Sequence, residues 1–260
     1  MKWDPHYTYL ALNLGSMAFP LLRSFEHRVH FVGWWPALAV GILANGLYFL
    51  PTDIWFTAKG IWSFSDAYTL GTRLAGLPLE EWLFFVCIPF ACVFIYACVK
   101  TLLRIPYHWG WLAFGWALVA VAGATALLNT DKAYTFVKVG SAAVFFAAYL
   151  LLTNKRDLPN FLLAYLLTEI PLLLVNGVLT YLPVVMYNDA ENLGIRMSAI
   201  TGVPLFNIPI EDNFYSLMML TLTVFFMNLV PGPHRRAGQV EPKQTTVHHR
   251  FTSDASAAAA

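Results

Sequence analysis

The chain predicts an all-α membrane protein of seven transmembrane helices, built as two parallel three-helix repeats joined by a linking helix. Three observations predict it. Of 260 residues, 58% are hydrophobic and 12% charged, against about 25% charged in soluble domains, and mean hydropathy is +0.58, too little polar surface to cover a water-soluble globule. Seven apolar stretches approach the ~20 residues that a helix rising ~1.5 Å per residue needs to cross a ~30 Å hydrocarbon layer. Two acidic turns, Pro78-Leu79-Glu80-Glu81 and Pro209-Ile210-Glu211-Asp212, lie 131 residues apart, and each opens an uncharged run.

In chain order the spans are Tyr7 to Leu22, Phe31 to Leu50, Leu79 to Leu102, Trp109 to Asn129, Tyr134 to Thr153, Leu158 to Leu182 and Ile210 to Val230. The first is followed by Arg23-Ser24-Phe25-Glu26 where a secretory signal would need a small-residue cleavage site, so it is expected to stay as a span. The third carries all three cysteines, Cys87, Cys92 and Cys98, at spacings that match no metal or redox pattern; they read as small apolar packing residues. The sixth holds Glu169, the only formal charge between Leu158 and Asn188, and Pro171 should kink it. Residues 231–260 are polar with a low-complexity end and read as a disordered cytoplasmic tail.

Sliding the chain by 131 residues brings Asn45-Gly46 onto Asn176-Gly177, Gly71 onto Gly202, Pro78 onto Pro209, Glu80 onto Glu211, Phe84 onto Tyr215 and Phe94 onto Phe225. A second echo, Leu70-Gly71-Thr72-Arg73 and Leu193-Gly194-Ile195-Arg196, breaks that register by eight residues, which neighbouring loop lengths compensate. The expected organisation is a first repeat over residues 1–104, a linking span over 105–131, a second repeat over 132–230 and the tail over 231–260. Two triplets joined directly would sit upside down relative to each other. The extra span makes them parallel, unlike the inverted repeats of many transporters, and brings both acidic turns to one membrane face.

Net charge is +1, which gives no case for nucleic acid. The useful signal is positional: Arg23, Arg28, Lys100, Arg104, Lys155, Arg156, Arg235, Arg236, Lys243 and Arg250, ten of the sixteen basic residues, fall on one side of a seven-span arrangement. Lys2, Lys59, Arg73, Lys132, Lys138 and Arg196 fall on the other. The positive-inside rule then puts the carboxyl end in the cytoplasm and the amino end outside the cell membrane.

A proline followed by two acids is an ordinary helix start, since Pro loses nothing there and carboxylates complement the helix dipole. The competing reading is chemical: four acids at the membrane boundary, with Phe84 four residues after Glu80 and Tyr215 four after Glu211, so that each pair has a ring beneath it. If burial keeps one acid of a pair protonated, it is a general acid and its ionised partner a base. Glu169 is either a cavity-facing acid or an interhelical hydrogen bond, and Asn45 and Asn176 carry the same two readings. No histidine lies deep in a span, there is no Gly-x-Gly-x-x-Gly, and the seventh span has no lysine for a Schiff base. Asn188-Asp189-Ala190-Glu191-Asn192 lacks the second aspartate of an acidic magnesium motif and reads as a solvated loop. The expected site therefore has no metal and no organic cofactor.

The pattern resembles the membrane-integral lycopene cyclases of archaea, some bacteria and fungi, which occur as two small three-span subunits or as a fused chain. The resemblance rests on Leu77-Pro78-Leu79-Glu80-Glu81-Trp82-Leu83-Phe84-Phe85, Ile208-Pro209-Ile210-Glu211-Asp212-Asn213-Phe214-Tyr215, Gly71-Thr72-Arg73 and Gly194-Ile195-Arg196, and with the matched spans covers roughly residues 5–230. It implies the fused two-repeat form without the phytoene synthase domain of the fungal versions. It also implies a cofactor-free β-cyclase acting on lycopene taken from the bilayer. In that reaction a carboxyl group protonates the terminal double bond, a nearby double bond closes a six-membered ring on the cation, and a base removes a proton. On this reading Glu80 and Glu211 handle the proton, Glu81 and Asp212 are their partners, and Glu169 is a second acid or base deeper in the cavity. Arg73 and Arg196 orient the carboxylates. Trp34, Trp35, Trp55, Trp62, Trp82, Phe84, Phe85 and Tyr215 are available to stabilise a cation. Partners implied are the carotenoid, membrane lipid, a second copy of the chain and other carotenoid-pathway enzymes. The rival readings are a proton- or ion-coupled transporter with Glu169 as relay, a cyclase of a longer modified carotenoid, and a pigment-binding protein without turnover. A reporter fused to the last residue is expected in the cytoplasm; its detection outside would reverse the topology.

Overall fold

A computed structural model describes residues 4–103, 105–235 and 237. Lys2, Arg104, Arg236, Lys243 and Arg250 of the charge pattern, and residues 238–260 of the expected tail, lie outside the described residues. The fold is mostly helical. In order come α1 (Thr8–Arg23), α2 (Trp35–Ala58), α3 (Leu79–Leu102), α4 (Trp109–Leu128), a π-helical turn (Thr135–Val139) that runs into α5 (Gly140–Leu152), α6 (Leu158–Tyr181), a short α7 (Met197–Thr201) and α8 (Asp212–Met227).

Among the described residues five helical segments, Phe31–Ala58, Leu79–Leu102, Trp109–Leu128, Thr135–Leu152 and Lys155–Tyr181, are long and apolar enough to cross a membrane. The exterior agrees with a multi-pass membrane protein, since Leu47, Leu127, Leu128 and Leu151 turn outward. Helices α1 and α8 have 16 residues each, about 24 Å of helix, so the seven-span expectation meets the length requirement at five segments.

The second helix differs most from expectation. It passes Pro51 and ends at Ala58 instead of Leu50. A proline removes one amide donor from the helix, and in the same turn the Thr52 hydroxyl donates to Phe49 O at 2.8 Å and Tyr48 O at 3.2 Å. The extra turns carry Asp53 into the buried interior. Helix α6 likewise runs through a proline, Pro171, and Thr168 before it donates to Tyr165 O at 2.7 Å.

Helices α2 and α6 both have 24 residues with proline at the second position, Pro36 and Pro159. That fixes their mutual offset at 123 residues, whereas the acidic turns keep 131. The expected pairing of Asn45 with Asn176 is therefore corrected: the counterpart of Asn176 is Asp53. The eight displaced residues reappear after Arg196, where α7 occupies a loop that is a two-residue turn in the first half.

The loops hold short strands that the all-α expectation omitted. Strands β2 (Arg73–Leu74) and β3 (Leu77–Pro78) form a hairpin feeding α3. Its central residues, Ala75 and Gly76, both have positive φ, 53° and 86°, as the right-handed twist of a two-residue hairpin requires. Strand β1 (Trp62–Phe64) pairs antiparallel with β4 (Val185–Tyr187), Trp62 opposite Tyr187, and so joins the loop after α2 to the loop after α6.

Among the described residues two large packed clusters fill the interior, with a small third one of Ala122, Val139 and Ala143. One, around Phe31, Trp34, Phe90, Tyr96, Phe146 and Phe161, lies toward the end where Lys100 meets Asp157 at 3.1 Å. At that end the start of the expected tail is structured, because Pro233–Arg235 forms a 3-10 turn with His234 fully buried and its ring 5.9 Å from Trp34. The other cluster, around Tyr9, Phe49, Phe56, Trp62, Tyr134 and Tyr215, surrounds the acidic turns.

Candidate active site

All four carboxyl groups of the acidic turns are buried, Glu80 and Glu211 completely. A buried carboxylate needs donors from the protein, and the two members of each pair find different ones. Glu80 Oε1 accepts from Leu70 N–H at 2.7 Å, and Glu211 Oε1 accepts from Leu193 N–H at 2.7 Å and Thr135 Oγ1 at 2.7 Å. These acids clamp the preceding loops onto the helix starts. The other members meet phenols. Glu81 Oε2 accepts from Tyr9, and Asp212 accepts from Tyr134 at 2.5 Å, from Tyr187 at 3.0 Å and from Asn176 Nδ2 at 3.4 Å. Burial, with the Asp212 carboxylate beside it, pushes the Tyr187 phenol above its ordinary range, so this residue stays an O–H donor.

Glu81, Tyr9, Tyr134, Tyr187 and Asn176 line one cavity of about 30 Å³, together with rings of Trp62, Phe64, Phe84 and Tyr215. That space holds one or two waters. Phe84 and Asn176 also line a second, apolar cleft of about 390 Å³ between α1, α3, α6 and α8. Its walls include Phe19, Ala91, Cys92, Pro171 and Met219, and the outward-turned Phe19 and Leu174 mark its exposed edge. An apolar slot thus leads from the helix surface to a septum with the carboxyl groups behind it.

Beside this lies an ion pair that the sequence reading missed. Lys138, on the π-helical turn, and Asp53 are both 0% exposed, with Nζ 2.8 Å from Oδ1. Thr52 Oγ1 lies 2.7 Å from the ammonium, and Tyr215 donates to Asp53 Oδ2 at 3.3 Å. Rings of Phe49, Tyr215 and Phe56 stand 4.6, 5.0 and 5.1 Å from Nζ, and cation–π attraction is strongest when desolvated like this. Lys138 had been placed among the charges of the outer face; its signal was a lysine inside an otherwise apolar span.

Of the residues singled out from sequence, the structure brings Glu81, Asp212, Asn176, Phe84 and Tyr215 together, with Glu80 and Glu211 one position back. Glu169 bonds Ser216, which lines the apolar cleft, and its other oxygen is buried without a partner among the described residues. The arginines do not reach the acidic turns: Arg73 pairs with Asp66 at 2.6 Å and Arg196 with Asp189, so each is held seven residues back along its own loop. Asn45 is fully buried but away from the cavity, its amide unpartnered among the described residues, and Trp55 is 43% exposed on the outer surface of α2. Tyr9, Tyr134 and Tyr187 escaped notice because each reaches its carboxylate only through tertiary packing.

A family model described as "Lycopene cyclase" matches residues 6–99 and 131–230. A curated relative from Podospora anserina, named "Bifunctional lycopene cyclase/phytoene synthase", is 35% identical over 77 residues, which is 30% of this chain and 12% of that protein. The chain thus spans a small part of the length of the relative it matches. No solved structure matches significantly.

Removing one partner of a buried ion pair leaves an uncompensated charge, at a cost of about 3–5 kcal/mol. Lys138→Met is expected to lower stability by about that much, and adding Asp53→Leu to recover most of it, as read by thermal unfolding in detergent. Equal stability of the single and double variants would show that the pair is not charged.

Proposed function

The chain belongs to the lycopene cyclase family, and we propose that it cyclises the linear ends of lycopene to β-rings by acid–base chemistry without a cofactor. The reading is carried by one observation: an apolar cleft from the helix surface ends at a wall, Phe84 and Asn176, that it shares with a cavity containing Glu81 and the phenols around Asp212. A polyene is an uncharged, lipid-dissolved chain, and such a cleft admits its end without exposing it to water. The proposed protein is a seven-span molecule of two parallel repeats, a linking helix and a cytoplasmic tail, lying in the cell membrane with its amino end outside.

Glu81 is the proposed proton donor and Asp212 the base. Three donors converge on Asp212, an arrangement that suits an ionised carboxylate, whereas Glu81 has one phenol partner and a face on the cavity. With the shared wall of Phe84 and Asn176 moved aside, Glu81 adds its proton to the terminal C=C, leaving a tertiary cation. The neighbouring double bond of the same chain attacks to close the ring, and the adjacent C–H proton passes to a phenol that lines the cavity as that phenol hands its own proton to Asp212. One proton enters and one leaves, so the sequence is redox-neutral and needs no electron carrier. Rings of Phe84, Tyr215 and Trp62 face this space and offset the passing positive charge by about 0.5–2 kcal/mol each. Water in the small cavity resets the proton between the two acids.

This assignment exchanges the roles expected within each acidic pair. Glu80 and Glu211 each accept at Oε1 from a backbone amide and act as clamps, with Oε2 buried and unpartnered among the described residues, as in Glu169. A second reading makes Glu169 the donor, favoured by its contact with Ser216 on the cleft wall and its unpartnered oxygen.

In a lycopene-accumulating bacterium the wild-type chain is expected to yield ringed carotenoids. Glu81→Gln and Asp212→Asn are expected to lower ring formation by about 10²-fold or more, while Glu80→Gln, which keeps an acceptor for Leu70 N–H, inserts normally and retains most activity. Loss in Glu169→Gln with full activity in Glu81→Gln would transfer the donor role to the cleft. In heavy water each new ring should carry a single solvent deuteron.

A further inference from the structure

The two halves present counterpart surfaces, yet they differ in what fills them. Counterparts follow from three offsets: 123 residues for α2 and α6, 131 for the acidic turns and the helices they open, and 125 for Tyr9 and Tyr134, which make the same phenol bond to Glu81 and Asp212. The apolar cleft lies between α1, α3, α6 and α8. Its counterpart lies between α5, α8, α2 and α3.

Three residues that line the open cleft become larger ones in the counterpart, while at its exposed edge Phe19 becomes Val144 and Leu174 becomes Pro51. Pro171 becomes Tyr48, Pro20 becomes Phe145 and Ala91 becomes Leu222. These replacements are locked together. Tyr48 donates from its hydroxyl to Ser141 Oγ at 2.6 Å, and its ring stands edge-on to Phe145 with centroids 5.2 Å apart. Behind them Phe49, fully buried, packs on Tyr215 at 4.6 Å, and Asn13 is replaced by Lys138 with its ion pair to Asp53. Ser16, the counterpart of Ser141, instead lines the open cleft and donates to the backbone of its own helix, Asn13 O, at 2.7 Å. A duplicated scaffold has one slot open and the other plugged from helix to helix.

We propose that the molecule holds one end-group site, in the cleft between α1 and α6, and that Tyr48 closes its counterpart. One end of the polyene occupies the site while the rest of the chain lies outside it, so the second ring forms only after the half-cyclised molecule has left and re-entered. The inference rests on the cyclase reading above and adds to it how many ends are processed per binding event.

The full chain in proteoliposomes tests it. Isotope-labelled lycopene is supplied until one-ringed product appears, and a large excess of unlabelled lycopene is then added. Label is expected to stay in the one-ringed product, its share in the two-ringed product falling by the factor of the dilution. An enzyme that stops at one ring supports the same conclusion. Label that proceeds to the two-ringed product at an undiminished share overturns it, since both ends would then be processed in one visit. Two further variants, Pro171→Tyr and Ala91→Leu, copy the plug into the open slot. Each is expected to lose formation of both rings together while inserting and remaining monodisperse, and full activity in both overturns the placement of the site. Absence of any ringed product from the wild-type chain would instead remove the cyclase reading itself.

Discussion

Four carboxyl groups set into the rim of an apolar bundle have to find their hydrogen-bond partners inside the protein, and much of the architecture at that end answers to this requirement. Charge-assisted hydrogen bonds are worth about 1.5–3 kcal/mol each, and a buried acid left without them destabilises the fold. The helix starts therefore sit where two kinds of donor converge. Backbone amides of the loops before α3 and α8 hold the first acid of each pair. Phenols from the starts of α1 and α5, and from strand β4, hold the second. The β1–β4 ladder closes over this assembly and brings Trp62 and Tyr187 together from the two halves.

The same requirement explains what was legible in the sequence. Hydropathy and length locate α3 and α4 within a residue because their limits are set by local signals, an acidic turn and a Trp-Gly start. The second span is expected to end at Leu50, before Pro51, whereas α2 runs on to Ala58. The added turns hold Asp53, on which hydropathy is silent. The acidic turns, Phe84, Tyr215 and Asn176 were visible through spacing and repetition. Their partners were not: a tyrosine in an apolar span looks the same whether it meets lipid or a carboxylate 72 or 78 residues away, as Tyr9 and Tyr134 do. The arginines misled for a related reason, since Asp66 and Asp189 sit within reach on the same loops and satisfy them first.

On the proposed two-repeat organisation, divergence between the halves accounts for the remaining asymmetry. Where the first half offers Asn13 the second has Lys138, and where α6 offers Asn176 helix α2 has Asp53. Neither charged substitution is tolerable alone in the interior. Together they form an ion pair ringed by aromatics on one side of the bundle, while the cleft lies on the other.

The hollow side has its exposed edge at Phe19 and Leu174, on α1 and α6, and on the proposed function this sets the medium in which the protein meets its substrate. A solute arriving by that route is delivered by two-dimensional diffusion, and its effective concentration is a mole fraction within the leaflet, independent of the aqueous volume. Saturation curves measured in micelles or vesicles should therefore collapse onto one another when plotted against guest per lipid, and diverge when plotted against molarity.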